Sequence, residues 1–132
     1  IALIHDVAII VSAYMILRMP LNVAFIAAVL TIIGYSINDT IVVFDRIREN
    51  VKFARKETYA EIANKSVRQT ITRSINTSVT TLLTIAMLYI LGVDAIKDFS
   101  LTLIFGLIAG TYSSIFIAAP LWVAMRKEKK VK

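Results

Sequence analysis

The amino-acid sequence predicts an all-α, polytopic membrane protein: four transmembrane helices, with a cytoplasmic amphipathic helix between the second and third. Three observations predict it. Hydrophobic residues make up 58% of the 132 positions, whereas soluble domains run at about 45–50%. They gather into four long runs, residues 1–17, 21–44, 75–93 and 99–125, and roughly 20 residues of helix cross a bilayer core. The basic residues fall on one side. Eight lie in the connection 45–74 (Arg46, Arg48, Lys52, Arg55, Lys56, Lys65, Arg68, Arg73) and five in the tail 126–132 (Arg126, Lys127, Lys129, Lys130, Lys132). Only Arg18 and Lys97 remain for the opposite side. The positive-inside rule makes the first group cytoplasmic, with both termini inside a multi-pass protein of the cell (inner or plasma) membrane.

Other classes are excluded on the same grounds. A net charge of +6 could suggest nucleic acid, but the charge is confined to one connection and one tail rather than a soluble face. The absence of cysteine removes disulfides, thiol catalysis and Cys-based metal sites. No run has the short apolar core and small-residue cleavage site of a signal peptide. The chain starts inside an apolar run without an initiator Met, and is expected to be part of a longer protein whose residues 1–132 form a single transmembrane unit.

Each element follows in order. Span one carries His5 and Asp6 near its cytoplasmic start. The turn Arg18-Met19-Pro20 is short, and Pro20 suits the first turn of the next helix, where its missing N–H costs nothing. In span two, Thr31, Gly34, Tyr35, Asn38 and Asp39 recur at helical spacing with Arg46 on the same face. Ile32, Ile33, Ile37, Ile41 and Val43 are expected to face lipid. In the connection, Thr58 and Glu61 fit a capping box. Past it, Tyr59, Ile62, Ala63, Val67 and Ile71 form the apolar stripe of a helix expected to lie on the inner membrane surface and to run into span three through Arg73. Span three opens with a hydroxyl-rich stretch, residues 74–81, and ends at Gly92. Asp94, Lys97 and Asp98 are expected in a short outer loop. Span four carries Gly106, Gly110, Ser114 and Ala118 at spacing four, a small-residue face that lets helices approach closely in lipid. Gly34 offers a similar notch on span two. Pro120 is expected to bend the last turns and free the carbonyl near Phe116.

Asp39 is the sharpest chemical feature. An ionised carboxylate in hydrocarbon is costly, and the default reading of such a residue is a functional site. A carboxyl poised between charged and neutral states can bind and release protons. Asn38 adjoins it. Arg73 sits where span three leaves the cytoplasm, level with the inner end of span two, and can serve either as the partner of Asp39 or as a snorkelling interfacial cation. Asp6 is a further polar member. Histidine as a residue type suits a proton relay, but on a helix His5 points about 100° away from Asp6. No enzyme site emerges: there is no Gly-rich phosphate loop, no second His and no arrangement for nucleophilic catalysis. No metal site or cofactor is implied.

The segment 28–50, AVLTIIGYSINDTIVVFDRIREN, resembles SecF members of the SecD/SecF family of protein-export membrane proteins almost residue for residue. His5-Asp6, Thr72-Arg73-Ser74 with Thr80-Thr81-Leu82-Leu83, Phe99-Ser100-Leu101, and Gly110-Thr111-Tyr112-Ser113-Ser114-Ile115 extend the resemblance over essentially the whole chain. The family belongs to the resistance–nodulation–division superfamily, with six spans per half. The resemblance implies that these are the last four spans of a SecF, without the family's periplasmic domain. It implies a role with SecD in using the proton-motive force to promote preprotein translocation. SecD, the SecYEG translocon, YajC, preprotein and membrane lipids would be the partners. It places Asp39 and Arg73 in the proton-coupling site, with Asp6 and Asn38 nearby. A proton-driven small-molecule or lipid exporter of the same superfamily, and a passive translocon scaffold, are the alternative readings.

Overall fold

The structure, a computed structural model, describes residues 1–126; the basic tail beyond Arg126 lies outside the described residues. Helix α1 spans Ala2–Leu17, α2 Val23–Phe53 and α3 Tyr59–Leu91. The last apolar run forms α4 (Asp94–Ser113), a π turn (Ser114–Ala118) and α5 (Ala119–Met125). Three of these stretches, Val23–Phe53, Tyr59–Leu91 and Asp94–Met125, are long and apolar enough to cross a membrane. The 16 residues of α1 reach about 24 Å at the helical rise, short of a full hydrocarbon core.

Arg18 ends α1 in the left-handed conformation, φ 52°. Pro20 does not enter the next helix, contrary to expectation. Asn22 starts α2 instead, its side chain accepting the Phe25 N–H at 2.9 Å, because an Asn oxygen satisfies a free first-turn donor that Pro merely lacks. The capping box forms: the Glu61 N–H donates to Thr58 Oγ1 at 3.3 Å, and the Thr58 N–H donates to Glu61 Oε2 at 2.7 Å.

The segment after Thr58 is not a separate surface helix. It is the first half of the 33-residue α3. Its apolar stripe is already covered: Ile62 and Ala63 pack with Val43 and Ile47 of α2 and Ala119 of α5. The expected outer loop is also shorter, since Asp94 and Lys97 form the first turn of α4 and bond to each other at 2.7 Å. The disturbance expected at Pro120 appears one turn earlier, as the π turn Ser114–Ala118. Pro lacks the N–H that would bond the Phe116 carbonyl.

Helix α2 is central and lies against α1, α3 and α4. Two apolar clusters result. One, toward the short turns, joins Ile10, Tyr14, Ala28, Ile32 and Leu103. The other, toward the 54–58 connection, joins Val43, Ile47, Ile62, Ala63 and Ala119. Ile32 and Val43, expected against lipid, are therefore core residues, while Ile37 and Ile41 remain exposed. Helix α4 comes close enough to α2 at Gly106 that a Cβ there would overlap the Ile32 side chain. At Gly110 a Cβ would lie 3.3 Å from Ser36 Cβ. Gly34 has no such neighbour within 4 Å, so the expected notch on α2 is open in this chain.

Candidate functional site: a polar layer between two apolar clusters

Between the two clusters lies a layer of buried polar side chains. Its anchors are two carboxylates. Asp6 of α1 is 1% exposed. Its Oδ2 accepts from Ser36 Oγ of α2 at 2.7 Å and from Ser113 Oγ of α4 at 2.9 Å. Its Oδ1 lies 3.3 Å from His5 Nδ1, and His5 is half-buried beside it. The Asp6 carboxyl group thus ties three helices together through hydroxyl donors, and an ordinary intramolecular hydrogen bond contributes about 0.5–1.5 kcal/mol net.

Asp39 follows Ser36 by one helical turn and is 7% exposed. Its Oδ1 accepts from Ser74 Oγ of α3 at 2.7 Å. Its Oδ2 is buried and has no hydrogen-bond partner among the described residues. Around the two acids, Thr40 and Ser114 hydroxyls meet at 2.9 Å, and Ser78 bonds Thr111 at 2.8 Å and Tyr35 at 3.3 Å. Buried polar groups are costly unless hydrogen-bonded, and these bonds pair the named hydroxyls across α2, α3, α4 and the π turn.

Of the residues singled out in the sequence, the structure buries Asp39 and Asp6 in one layer and leaves two others outside it. Asn38 is exposed. Arg73 is exposed too, and no carboxylate lies within 4 Å of it among the described residues. It lines an open polar cavity of about 440 Å³ with Asp45, Arg46, Glu49 and Gln69. In that cavity Arg46 donates to Gln69 at 2.7 Å and pairs with Glu49 at 2.5 Å. So Ser74, the neighbour of Arg73 in sequence, is what touches Asp39. Gly106 and Gly110 pack on α2, and Ser114 bonds Thr40.

Sequence reasoning missed Ser36 and Ser113, which hold Asp6. The signal was present: Ser36 stands one turn before Asp39, and Ser113 adjoins the small-residue run Gly106, Gly110 and Ser114.

A bundle that is all-helical among the described residues, with three helical stretches long and apolar enough to cross a membrane, defines a multi-pass membrane protein. The family model described as "Protein export membrane protein SecD/SecF, C-terminal" matches residues 1–128. The protein translocase subunit SecF of Alicyclobacillus acidocaldarius is 50% identical over 135 residues, covering 100% of this chain and 44% of that protein. The SecDF subunit of Thermus thermophilus is 48% identical over 131 residues, covering 99% of this chain and 18% of that protein. A crystal structure of SecDF in a super-membrane-facing form superimposes with a TM-score of 0.89 at 50% identity, over 94% of this chain and 17% of that one. The chain belongs to the SecD/SecF protein-export family and corresponds to the C-terminal part of a SecF. It spans less than half the length of these relatives.

Proposed function

We propose that this chain is the C-terminal membrane part of a protein-export subunit that works with SecD and draws on the proton-motive force to promote preprotein translocation. One observation carries the proton-coupling reading: Asp39 is buried in a polar layer, bonded by one hydroxyl, with its second oxygen unpaired. That oxygen is where a proton would sit. An uncompensated buried charge is costly, and the surrounding hydroxyls accommodate a neutral or a charged carboxyl by turning. Moving one charge through the membrane field yields about 2.3 kcal/mol per 100 mV, so a single coupled proton supplies useful work.

Arg73 is the cation available to balance Asp39 in another state of the cycle. It follows the same helical stretch as Ser74 and faces an open polar cavity. Asp6 ties α1, α2 and α4 together and is a nearby polar member of the proton-coupling site. Asn38, beside Asp39 on the exposed side of α2, is a polar contact for a partner. The small residues Gly106, Gly110 and Ser114 allow the close α2–α4 approach on which the layer depends.

The partner reading rests on two supports. The Thermus thermophilus and Bacillus subtilis relatives are named as single SecDF subunits. Thr31 and Asn38 of α2, with Asn76 and Thr80 of α3, are polar yet exposed on helices otherwise apolar enough to span a membrane. Such a face calls for cover by another membrane protein. SecYEG, YajC and membrane lipids are the further neighbours of that assembly, a non-enzymatic role. Four spans, with both ends of this chain and the connection 54–58 in the cytoplasm, complete the proposed arrangement.

The test is Asp39→Asn in the complete complex. The variant keeps shape and hydrogen bonding but cannot titrate. It is expected to assemble with SecD at normal abundance and to lose export stimulation that depends on the proton gradient. Arg73→Lys is expected to be partly impaired, because a point charge replaces a planar fork. Gradient-dependent export at the parental level in Asp39→Asn would leave only a packing role for the carboxylate.

A further inference from the structure

On the side of the bundle away from the polar cavity, α3 and α4 part to form an open apolar groove of about 420 Å³. Its walls include Ile75, Val79 and Leu82 of α3, and Ile108, Tyr112 and Phe116 of α4. Ser78 and Thr111 also line it, but their hydroxyls bond each other at 2.8 Å. An occupant therefore meets no unsatisfied polar group and needs none of its own. Its long side chains give no small-residue patch of the kind that brings two membrane helices together. A flexible hydrocarbon chain fits such a surface better than a helix does.

The groove has a charged end. Counting about 20 residues of hydrocarbon thickness back from Leu91, the end of α3, places the boundary of the core near Thr72. Arg68 lies one helical turn beyond, at headgroup depth. It stands three residues before Ile71 and four after Asn64. Ile71 lines this groove, and Asn64 lines its continuation along α5 past Ile115 and Phe116. Positions three and four apart share a helix face. Arg68 is exposed, and no carboxylate lies within 4 Å of it among the described residues. A cation on the groove-bearing face of α3, between two groove-lining residues, suits an anionic headgroup, and basic pockets between membrane helices bind such lipids.

We propose that the α3–α4 groove is a binding site for a phospholipid with an anionic headgroup, its acyl chain along Ile75–Phe116 contacts and its phosphate at Arg68. The site rests on the membrane placement of α3 and α4 and is independent of proton coupling at Asp39.

The experiment uses the full-length protein with its partner in nanodiscs of phosphatidylglycerol and phosphatidylcholine, with the photoreactive residue benzoylphenylalanine in place of the exposed Ile108. Mass spectrometry reads the adduct. The parent is expected to capture phosphatidylglycerol with roughly fivefold enrichment over its share of the bilayer, the factor one basic side chain contributes near an anionic surface. Arg68→Gln, an exposed change that leaves the fold intact, is expected to capture lipid at the bulk ratio. A peptide adduct from another helix would show that protein covers the groove and would overturn the proposal. So would capture without enrichment in the parent, or enrichment unchanged in Arg68→Gln.

Discussion

Replacing Gly106 by Ala tests how tightly α4 is seated on α2. A Cβ at position 106 would overlap the side chain of Ile32, which is 2% exposed and packs with Ile10, Tyr14, Ala28 and Leu103. Ile is β-branched and holds one preferred χ1 in a helix, so relief requires the backbones to separate. Overpacking of this kind costs about 1–3 kcal/mol. Against it stands the gain of up to about 1 kcal/mol when Ala replaces Gly within a helix. The net expectation is a loss of up to about 2 kcal/mol once that gain is set against the cost. At Gly110 the new Cβ would meet Ser36 Cβ at 3.3 Å, a contact that yields by a few tenths of an ångström, so Gly110→Ala is expected to lie near zero. Ile32→Val removes the nearest of the three Ile32 atoms that the new Cβ would overlap, and alone costs about 0.5–1.5 kcal/mol. Combined with Gly106→Ala it is expected to cost less than the sum, with a coupling of at least about 0.5 kcal/mol, as contacting residues show. Denaturant unfolding of the complete complex in detergent measures all four proteins. If Gly106→Ala is as stable as Gly110→Ala, or the pair is additive, the close α2–α4 approach described here is wrong.

Three further outcomes follow from the same geometry. Ser36→Ala and Ser113→Ala each remove one donor from the buried Asp6 carboxylate, and each is expected to cost about 1–3 kcal/mol in the same unfolding assay, with the double mutant costing less than the sum. Thr58→Ala breaks the capping box of α3 and is expected to cost about 0.5–2 kcal/mol, read as faster proteolysis within 54–58; cleavage at the parental rate would deny the cap a role. Lys56→Cys sits in the connection with φ 65° and is expected to react with an impermeant thiol reagent only after the membrane is opened, whereas labelling in sealed, right-side-out cells would reverse the topology.

The positions of the helices were legible because apolar runs and caps are local signals. Thr58 and Glu61 announce the start of α3, and Gly92 its end. The start of α2 was misplaced because Pro20 and Asn22 both carry helix-start signals, and the Asn side chain made the hydrogen bond. Which face of each helix meets which neighbour was not legible, because an apolar side chain suits lipid and core equally. Ile32 is the plain case: it reads as lipid-facing until Gly106 is seen against it. The site was half legible. A carboxylate in an apolar run stands out by itself, so Asp39 and Asp6 were visible. Serines that hold such a carboxylate look like any other small residue in a membrane helix, so Ser36 and Ser113 acquired meaning only when three helices brought them to Asp6. The pairing of Asp39 with Arg73 was inferred from matching depth, but adjacent helical residues point about 100° apart, and here Ser74 faces the carboxylate while Arg73 faces the cavity.

The central claim is that Asp39 takes up a proton on its unpaired Oδ2. Infrared difference spectroscopy of the complete complex, stepped in pH, observes the carbonyl stretch of a protonated carboxyl directly. The parent is expected to show a pH-dependent carboxyl band that Asp39→Asn lacks and that Asp6→Asn retains. A band unchanged by Asp39→Asn would place the titrating group elsewhere and contradict the account.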